Sequence, residues 1–359
     1  MEGIELAKKL DTEYKRFFKE VFAVVRKKPG YFWPMVGHIN SQRRASKQRL
    51  KQETKEFHVP SFMIFSITAQ CNLNCKGCYS KYLHNDMKKD LPVEKIDSVI
   101  GEAKALGISI ILIAGGEPLV KREILDVAGR HRRVIFPIFT NGLLIDDQVA
   151  KTISDNKNIL PVISLEGDMG QTDRRRGEGV YNSVIETFRR LSDHGVLFGA
   201  SITMTRGNFE EVTGDGFLAD LASRGCGIVF FIEYIPCGEN SENLTITPEQ
   251  REKLKEILGI RRKKTGMIFI SFPGDEEIYG GCLAAGRGFI HVNRNGSVEP
   301  CPFSPYSDIN LNQSPLKDAL NSVFLRKIRE NRGLLGENQG GCALWENREW
   351  VKQTLNEKN

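Results

Sequence analysis

From Phe62 onward, short apolar runs alternate with segments of helical periodicity. The apolar runs lie at 62–68, 108–113, 134–139, 160–165, 197–203 and 228–235. The helical patterns lie at 93–106, 122–131, 146–154, 180–194 and 209–223. Strands that alternate with helices of this length pair in parallel, because each crossover returns the chain to the same edge of the sheet. The sequence therefore predicts an α/β fold, in which six strands curl into a partial (β/α)6 TIM-like barrel.

Polar and glycine-rich residues follow directly on four of these predicted strands. The segments are Ala69-Gln70-Cys71, Ala114-Gly115-Gly116-Glu117, Thr140-Asn141-Gly142 and Glu166-Gly167-Asp168. Parallel strands end at a common edge, and α/β enzymes carry their sites there. We therefore expect the four segments to meet at one mouth of the barrel.

Three cysteines lie within eight residues after the first strand, in Cys71-Asn-Leu-Asn-Cys75-Lys-Gly-Cys78. The chain has eight cysteines and no secretory signal, which favours metal binding or catalysis over a disulfide framework. Three thiolates on one loop can bind three irons of a 4Fe–4S cluster and leave the fourth iron open. The alternative is zinc, which needs a fourth protein ligand. His84 is close in sequence, but no compact fourth ligand accompanies the triplet.

These motifs resemble those of the radical S-adenosylmethionine (SAM) superfamily. The C-x3-C-x2-C pattern is followed by an aromatic residue, Tyr79, and a Gly-Gly-Glu segment follows the second strand, where that family places one. The resemblance covers roughly residues 62–235. It implies a catalytic 4Fe–4S cluster whose ligands are Cys71, Cys75 and Cys78.

The resemblance also implies which residues bind SAM. The Gly-Gly-Glu segment would meet the methionine ammonium group, since backbone carbonyls and carboxylates accept hydrogen bonds. Ile163-Ser164-Leu165-Glu166 resembles a fourth-strand motif near the ribose or methionine, and Arg176 resembles an arginine that pairs with the methionine carboxylate. The implied cofactor-binding residues are Tyr79, Gly115, Gly116, Glu117, Asn141, Ser164, Glu166 and Arg176.

The reaction follows from the same resemblance. One electron, from a donor such as flavodoxin or ferredoxin, would break the sulfur–C5′ bond of SAM. The resulting 5′-deoxyadenosyl radical would take a hydrogen atom from a substrate. The cofactor supplies this chemistry, and the protein orients it and excludes water and oxygen.

A second cysteine set lies in the glycine-rich region after residue 265. Cys282, Gly296 and Cys301 have the spacing C-x13-G-x4-C, and residues 292–298 are typical of a β-hairpin with an Asn-Gly turn. The pattern resembles the auxiliary-cluster domains named SPASM and twitch. It implies one auxiliary 4Fe–4S cluster bound by Cys282, Cys301 and Cys342, with structural zinc as the alternative. Cys237 is either a fourth ligand or a buried or substrate-facing thiol, and we prefer the second interpretation.

The predicted organisation has four parts. A basic, amphipathic helical extension spans 1–60, a radical SAM core 61–240, a linking helix 241–265, and a small twitch/SPASM-like iron–sulfur domain 266–359.

The extension carries most of the charge. It has fourteen Lys and Arg against seven Asp and Glu, so the rest of the chain sums to −1 within a net charge of +6. We interpret this as a solvated helix face and expect no nucleic-acid partner, because no aromatic-rich binding signature accompanies the charge. Its aromatic residues are Phe17, Phe18, Phe22, Phe32 and Trp33. We expect them to pack against the barrel or a partner subunit; the alternative is peripheral membrane contact through residues 4–36.

The expected cellular location depends on two features that the sequence lacks. No stretch is long and apolar enough to cross a membrane, and the first residues lack the basic region of a secretory signal. We therefore expect a cytoplasmic protein, with attachment to the membrane surface as the alternative.

The substrate is not identified by any motif. We favour a small molecule or cofactor precursor over a peptide or protein. Peptide-modifying enzymes of this kind often carry an N-terminal winged-helix module with strands, and residues 1–60 are helical in pattern. Two further hypotheses are a lipid substrate at the membrane surface and a metal-binding scaffold without enzymatic activity.

Overall fold

A computed structural model describes residues 3–25, 29–54, 57–84, 88–238, 241–274, 279–335 and 342–357. The side chain of Phe18, part of the predicted aromatic set, lies outside the described residues. The described strands are β1 (Phe62–Ser66), β2 (Ile110–Ala114), β3 (Phe136–Thr140), β4 (Ile159–Leu165), β5 (Gly199–Met204), β6 (Ile228–Glu233), β7 (Ile268–Phe272), β8 (Phe289–Val292) and β9 (Val298–Glu299).

The α-helices alternate with the strands through the middle of the chain and cluster at both ends. They are α1 (Gly3–Val25), α2 (Phe32–Gln52), α3 (Tyr79–Leu83), α4 (Val93–Leu106), α5 (Glu123–Arg130), α6 (Asp147–Asp155), α7 (Met169–Arg176), α8 (Val180–Asp193), α9 (Phe209–Val212), α10 (Asp215–Ser223), α11 (Pro248–Thr265), α12 (Leu316–Leu320), α13 (Val323–Glu330), α14 (Arg332–Leu335), α15 (Ala343–Glu346) and α16 (Arg348–Asn356).

The predicted α/β fold is confirmed. All strands belong to one sheet with the order β7-β6-β5-β4-β3-β2-β1-β8-β9, and every neighbouring pair from β7 to β8 is parallel. The curl of this sheet brings the ring of Phe272 in β7 to 5.4 Å from that of Phe289 in β8. The partial barrel therefore presents the C-terminal ends of β1 to β6 at one mouth, as expected.

One predicted helix is wrong in its extent. Residues 209–223 form two helices, α9 and α10, because Gly214 adopts an extended backbone (φ −69°, ψ 150°) at the start of α10. Glycine is a poor helix former, which favours a break at this position.

The sheet also receives strands from the region after residue 265. Strand β7 extends the sheet beyond β6, and β8 pairs with β1 on the other side. The predicted hairpin is present: β8 pairs antiparallel with β9, and Gly296 has φ 89°, as an Asn-Gly turn needs. The domain boundary at 266 stays a prediction, and the sheet continues across it.

Helices α1 and α2 pack against the sheet. Val21, Val25, Tyr31 and Met35 are buried in one cluster with apolar side chains of β4, β6 and β7. The Tyr31 hydroxyl accepts the Leu197 N–H at 2.7 Å, and burial raises the pKa of Tyr31 to about 12.

The aromatic residues of the extension therefore divide into two groups. Phe17 and Phe22 are partly buried against this cluster, in agreement with the preferred interpretation, whereas Phe32 and Trp33 are exposed. Among the described residues, no helix has the length and apolar character needed to span a membrane.

The docking of α1 makes a prediction about stability. Val25 is fully buried, so Val25→Ala should lower the free energy of unfolding by about 2 kcal/mol, because buried methyl groups are lost and a cavity remains. Urea denaturation of the full chain measures this. Lys19→Ala, exposed on the same helix, is the control and should change the free energy of unfolding by less than about 0.5 kcal/mol. Equal losses in the two variants would contradict the docking.

Candidate functional site

The first cysteine set lies on the loop between β1 and α3, at the mouth of the barrel. Cys71 is exposed, and Cys75 and Cys78 are partly buried; none forms a disulfide. The Leu73 N–H donates to Cys71 Sγ at 3.4 Å. Although the residue as a whole is exposed, neighbouring protein atoms displace water from the Cys71 sulfur and raise its pKa, and the charges of Glu117, Cys75 and Cys78 raise it further. The loop thus gathers three sulfur ligands, as a cluster with one open iron requires.

The loop after β2 is joined to the cysteine loop by backbone hydrogen bonds. The Gly116 N–H donates to Thr68 O at 2.7 Å, and the Glu117 N–H donates to Gln70 O at 2.8 Å. A Cβ atom at Gly116 would lie 2.2 Å from Gln70 O, and one at Gly115 would lie 2.4 Å from Thr68 O. Only glycine fits this approach, so the Gly-Gly pair sets the distance between the two loops.

Glu117 connects the same loop to the end of β3. Its buried carboxylate accepts hydrogen bonds from the Thr140 hydroxyl at 2.7 Å, the Asn141 N–H at 2.7 Å and the Leu119 N–H at 3.0 Å. Burial raises the pKa of Glu117, and these three donors oppose the rise. Both carboxylate oxygens thus accept hydrogen bonds from the protein, and these bonds fix the loop after β2 to the end of β3.

Asn141 reaches the cysteine loop directly. Its Nδ2 donates to Asn72 Oδ1 at 2.7 Å, and its Oδ1 accepts the Leu143 N–H at 3.0 Å. Ser164 lies in β4 opposite Ser201 of β5, and Glu166 follows directly on the end of the same strand.

Glu166 holds two arginines at the mouth. It is buried, and its oxygens pair with Arg175 Nη1 at 3.0 Å and Arg176 Nη2 at 2.5 Å. Arg175 also binds the cysteine loop, because its Nε donates to Lys76 O at 3.2 Å and its carbonyl accepts the Lys76 N–H at 2.8 Å. The arginine pair therefore fixes the end of β4 to the first cysteine set.

One side-chain N–H of Arg176 is not used in hydrogen bonding within the described structure. Its side chain is only 12% exposed, and its Nε is buried without a hydrogen-bond partner in the described structure. Burial would lower the pKa of Arg176, but the charges of Glu166 and Cys75 raise it above its usual value. A buried, charged guanidinium with an unpaired N–H beside the cysteine loop fits a carboxylate ligand, such as that of methionine.

The second cysteine set converges from distant parts of the chain. Burial raises the pKa of Cys301 well above its usual value, and the neighbouring thiols of Cys342 and Cys282 add to the rise. The Cys282 N–H donates to Leu335 O at 3.0 Å, which places Cys282 beside the end of α14. Three thiols in this arrangement suit a metal centre.

Two residues lie between the sets. The ring of Tyr79 packs 5.0 Å from that of Phe303, and the charges of Cys78 and Cys301 add to the effect of burial in raising its pKa. Burial raises the pKa of Cys237 to about 11, and the charges of Cys78 and Cys342 contribute to this rise. Tyr79 and Cys237 are therefore each near enough to both cysteine sets for the charges of those sets to raise their pKa values.

Sequence reasoning missed Tyr234 and Arg175. The Tyr234 hydroxyl would lie 3.0 Å from a Cβ at Gly77, and Gly77 has φ 65°, so the cysteine loop folds closely over this ring. The Arg175 guanidinium lies 6.0 Å from the centre of the same ring. The available signal was the position of Tyr234 at the end of the sixth apolar run, one residue after β6.

Comparisons with known proteins agree with this geometry. A family model described as the radical SAM superfamily matches residues 65–213. The chain is 25% identical to the AdoMet-dependent heme synthase of Methanosarcina barkeri over 318 residues, which cover 80% of this chain and 89% of that protein. It is 28% identical to the mycofactocin maturase MftC of Mycolicibacterium smegmatis over 316 residues, which cover 82% of this chain and 77% of that protein.

One comparison with solved structures shows a similarity in fold. Streptococcus suis SuiB bound to its precursor peptide SuiA has a TM-score of 0.65 with this chain at 19% identity, over 84% of this chain and 75% of that one. This shows a common architecture.

Proposed function

Since this chain is a radical SAM enzyme of the SPASM/twitch type, we propose that it modifies a small molecule or cofactor precursor with the help of a second 4Fe–4S cluster. When bound, SAM and the catalytic cluster supply the 5′-deoxyadenosyl radical that abstracts hydrogen. The protein side of this chemistry is positional. Cys71, Cys75 and Cys78 would be the cluster ligands, and a reductant such as flavodoxin or ferredoxin would be the electron donor.

The SAM-binding assignments support a division of roles at the mouth. Arg176, held by Glu166, would orient the methionine carboxylate with its unpaired Nε. The carbonyls of Gly115 and Gly116 would accept the ammonium group, while Glu117 keeps their loop in place through its three hydrogen bonds. Preorganised groups of this kind lower the cost of binding a flexible cofactor.

Arg176→Lys tests the first of these roles. Lysine keeps the charge but lacks the fork that can bind Glu166 and a carboxylate together. We expect SAM to bind about 10–100-fold more weakly, since a hydrogen bond to a charged group contributes about 1.5–3 kcal/mol. Equilibrium binding to reconstituted protein measures the effect. The control is Arg174→Lys, which changes an exposed neighbour in the same helix and should leave affinity as it is.

The convergence of Cys282, Cys301 and Cys342 is the observation that carries the second cluster. Cys342 follows Cys301 by 41 residues, so the fold rather than the local sequence brings these thiols near one another. The set faces Tyr79 and Cys237, so a substrate placed at Cys237 would lie between the two centres.

The N-terminal helices support a small substrate. Within residues 3–25 and 29–54, the chain forms helices that pack on the barrel, and these ranges contain no strand that could recognise a peptide by pairing. The relative named as a heme synthase aligns with 80% of this chain. A porphyrin-sized cofactor precursor is therefore the first class to test.

The alternative is peptide modification, which the similarity to the mycofactocin maturase favours. Reconstituted enzyme with SAM and dithionite should form 5′-deoxyadenosine slowly when no substrate is present. We expect a porphyrin precursor to increase this rate, and deuterium from its labelled positions to enter 5′-deoxyadenosine. Stimulation by peptides alone would contradict the small-molecule proposal. A protein that binds iron but forms no 5′-deoxyadenosine would be a scaffold.

A further inference from the structure

A chain of buried polar groups connects the two cysteine loops. Its members are buried side chains on β1, on the hairpin of β8 and β9 and after α3, and it ends on a backbone carbonyl. We call it the polar bridge; it runs Ser66–His291–Glu299–Asn293–His84–Pro302. The joining distances, in that order, are 2.8, 2.7, 2.7, 3.2 and 2.8 Å.

The tautomers of both histidines follow from their partners. His84 Nε2 faces the Pro302 carbonyl, which only accepts, so Nε2 carries the proton and Nδ1 accepts from the Asn293 amide. His291 Nδ1 faces the Glu299 carboxylate, so Nδ1 carries the proton and Nε2 accepts from the Ser66 hydroxyl. Burial lowers the pKa of His291 to about 3, which keeps this ring neutral.

His84, His291 and Glu299 could instead hold a cation, because one ligand atom from each lies within 4.8 Å of the others. The hydrogen bonds oppose this interpretation. Each ring nitrogen already has a partner of the right kind, so the group is satisfied as a neutral network. A cation would have to displace the Asn293 or Ser66 contact.

The end of the polar bridge acts on a cysteine. Pro302 O and Phe303 N belong to one peptide group. His84 Nε2 donates to the oxygen of that group, and the group lies in a turn that the Ser304 N–H closes by donating to Cys301 O at 2.9 Å. The turn holds the N–H of the same group near the Cys301 side chain, where it opposes the rise in the pKa of that thiol. A hydrogen bond at the carbonyl end of a peptide group polarises and orients its N–H.

We propose that His84 is a positioning residue for the second cluster: through the Pro302 carbonyl it orients the Phe303 N–H toward the Cys301 sulfur and so raises the reduction potential of that cluster. This rests on the second cluster of the proposed function. Hydrogen bonds to cluster sulfurs favour the reduced, more negative state, and they are one of the means by which proteins set cluster potentials. His84 lies six positions after Cys78, so a residue next to the loop of the first cluster would influence the reduction potential of the second cluster.

The test compares His84→Gln with His84→Phe in the reconstituted full chain. The Gln amide can reach the position of Nε2 and donate to Pro302, whereas Phe keeps the ring volume and has no donor. We expect both variants to keep the iron content of the wild type. In His84→Phe, the midpoint potential of the second cluster should fall, and the coupling of an exchangeable proton to that cluster, seen by ENDOR, should weaken. In His84→Gln both should stay at wild-type values.

Unchanged potential and coupling in His84→Phe would overturn the proposal. If that variant does not fold, His84→Asn replaces it, because the shorter amide keeps the Nδ1 position but does not reach Pro302. Zinc bound by iron-free wild type and lost in both variants would also overturn it, in favour of a cation site.

A further measurement separates this proposal from the proposed function. If the wild type binds only one cluster, the two-cluster function fails. The rate of hydrogen exchange of the Phe303 amide in iron-free protein then tests whether His84 orients this peptide group. Faster exchange in His84→Phe than in His84→Gln supports the orienting contact, and equal rates contradict it.

Discussion

Alanine at Cys71, Cys75 or Cys78 is expected to abolish SAM cleavage, with no 5′-deoxyadenosine formed above the level of iron-free protein. The three thiols share one loop that hydrogen bonds tie to the segments after β2 and β4, so the loss of one thiol leaves the other two in a fixed frame. Two thiolates do not hold a 4Fe–4S cluster with a single open iron, and each variant should lose about four irons per chain.

Cys226→Ala is the matched control for these variants. Cys226 is buried just before β6, at the end of the barrel away from the mouth, and its thiol donates to Ile228 O at 3.2 Å. Its removal changes packing without touching either cysteine set, so cleavage should match the wild type. A Cys75→Ala protein that keeps its iron and its rate of cleavage would show that the catalytic cluster is held elsewhere.

Much of the fold could be predicted because its periodicity is local. The helix predicted at 93–106 has the same bounds in α4, and each predicted strand lies within two residues of an observed one at its start. The parallel order followed from the crossovers, since strands joined in this way have few arrangements. Motifs that depend on adjacent residues, such as the cysteine triplet and the Gly-Gly-Glu segment, could likewise be placed at the mouth from the sequence.

Features that depend on distant partners could not be predicted. The pattern of α1 shows an apolar stripe, but only the structure shows that Val25 meets β6 and β7 rather than a membrane or a second subunit. Glu117 could be identified as an acceptor, yet its donors at Thr140 and Asn141 come from another loop. The hairpin of β8 and β9 was predicted, but the pairing of β8 with β1 was not, because it joins residues more than 220 positions apart and no local pattern encodes it.

Cys301→Ala should remove about half of the iron while SAM cleavage without substrate continues, because two 4Fe–4S clusters hold about eight irons per chain and this variant affects only one of them. The first cysteine set has its own loop and its own hydrogen bonds, none of which includes Cys301. Iron and sulfide analysis with a 5′-deoxyadenosine assay measures both quantities.

Cys237→Ser distinguishes the role of the remaining thiol at this centre. If Cys237 faces the substrate, as we expect, the variant should keep its iron and its cleavage of SAM but lose substrate turnover. If Cys237 is the fourth ligand, the second cluster should become labile, since serine is a poor replacement for a thiolate on iron.

The double variant Cys282→Ala/Cys301→Ala tests whether the second cluster exists. Iron content equal to that of the wild type would refute the second cluster, and zinc in place of iron would make this centre structural. Loss of one cluster with retained cleavage of SAM would show that the two clusters have different roles. The first would generate the radical, and the second would bind the substrate or accept an electron from the substrate radical.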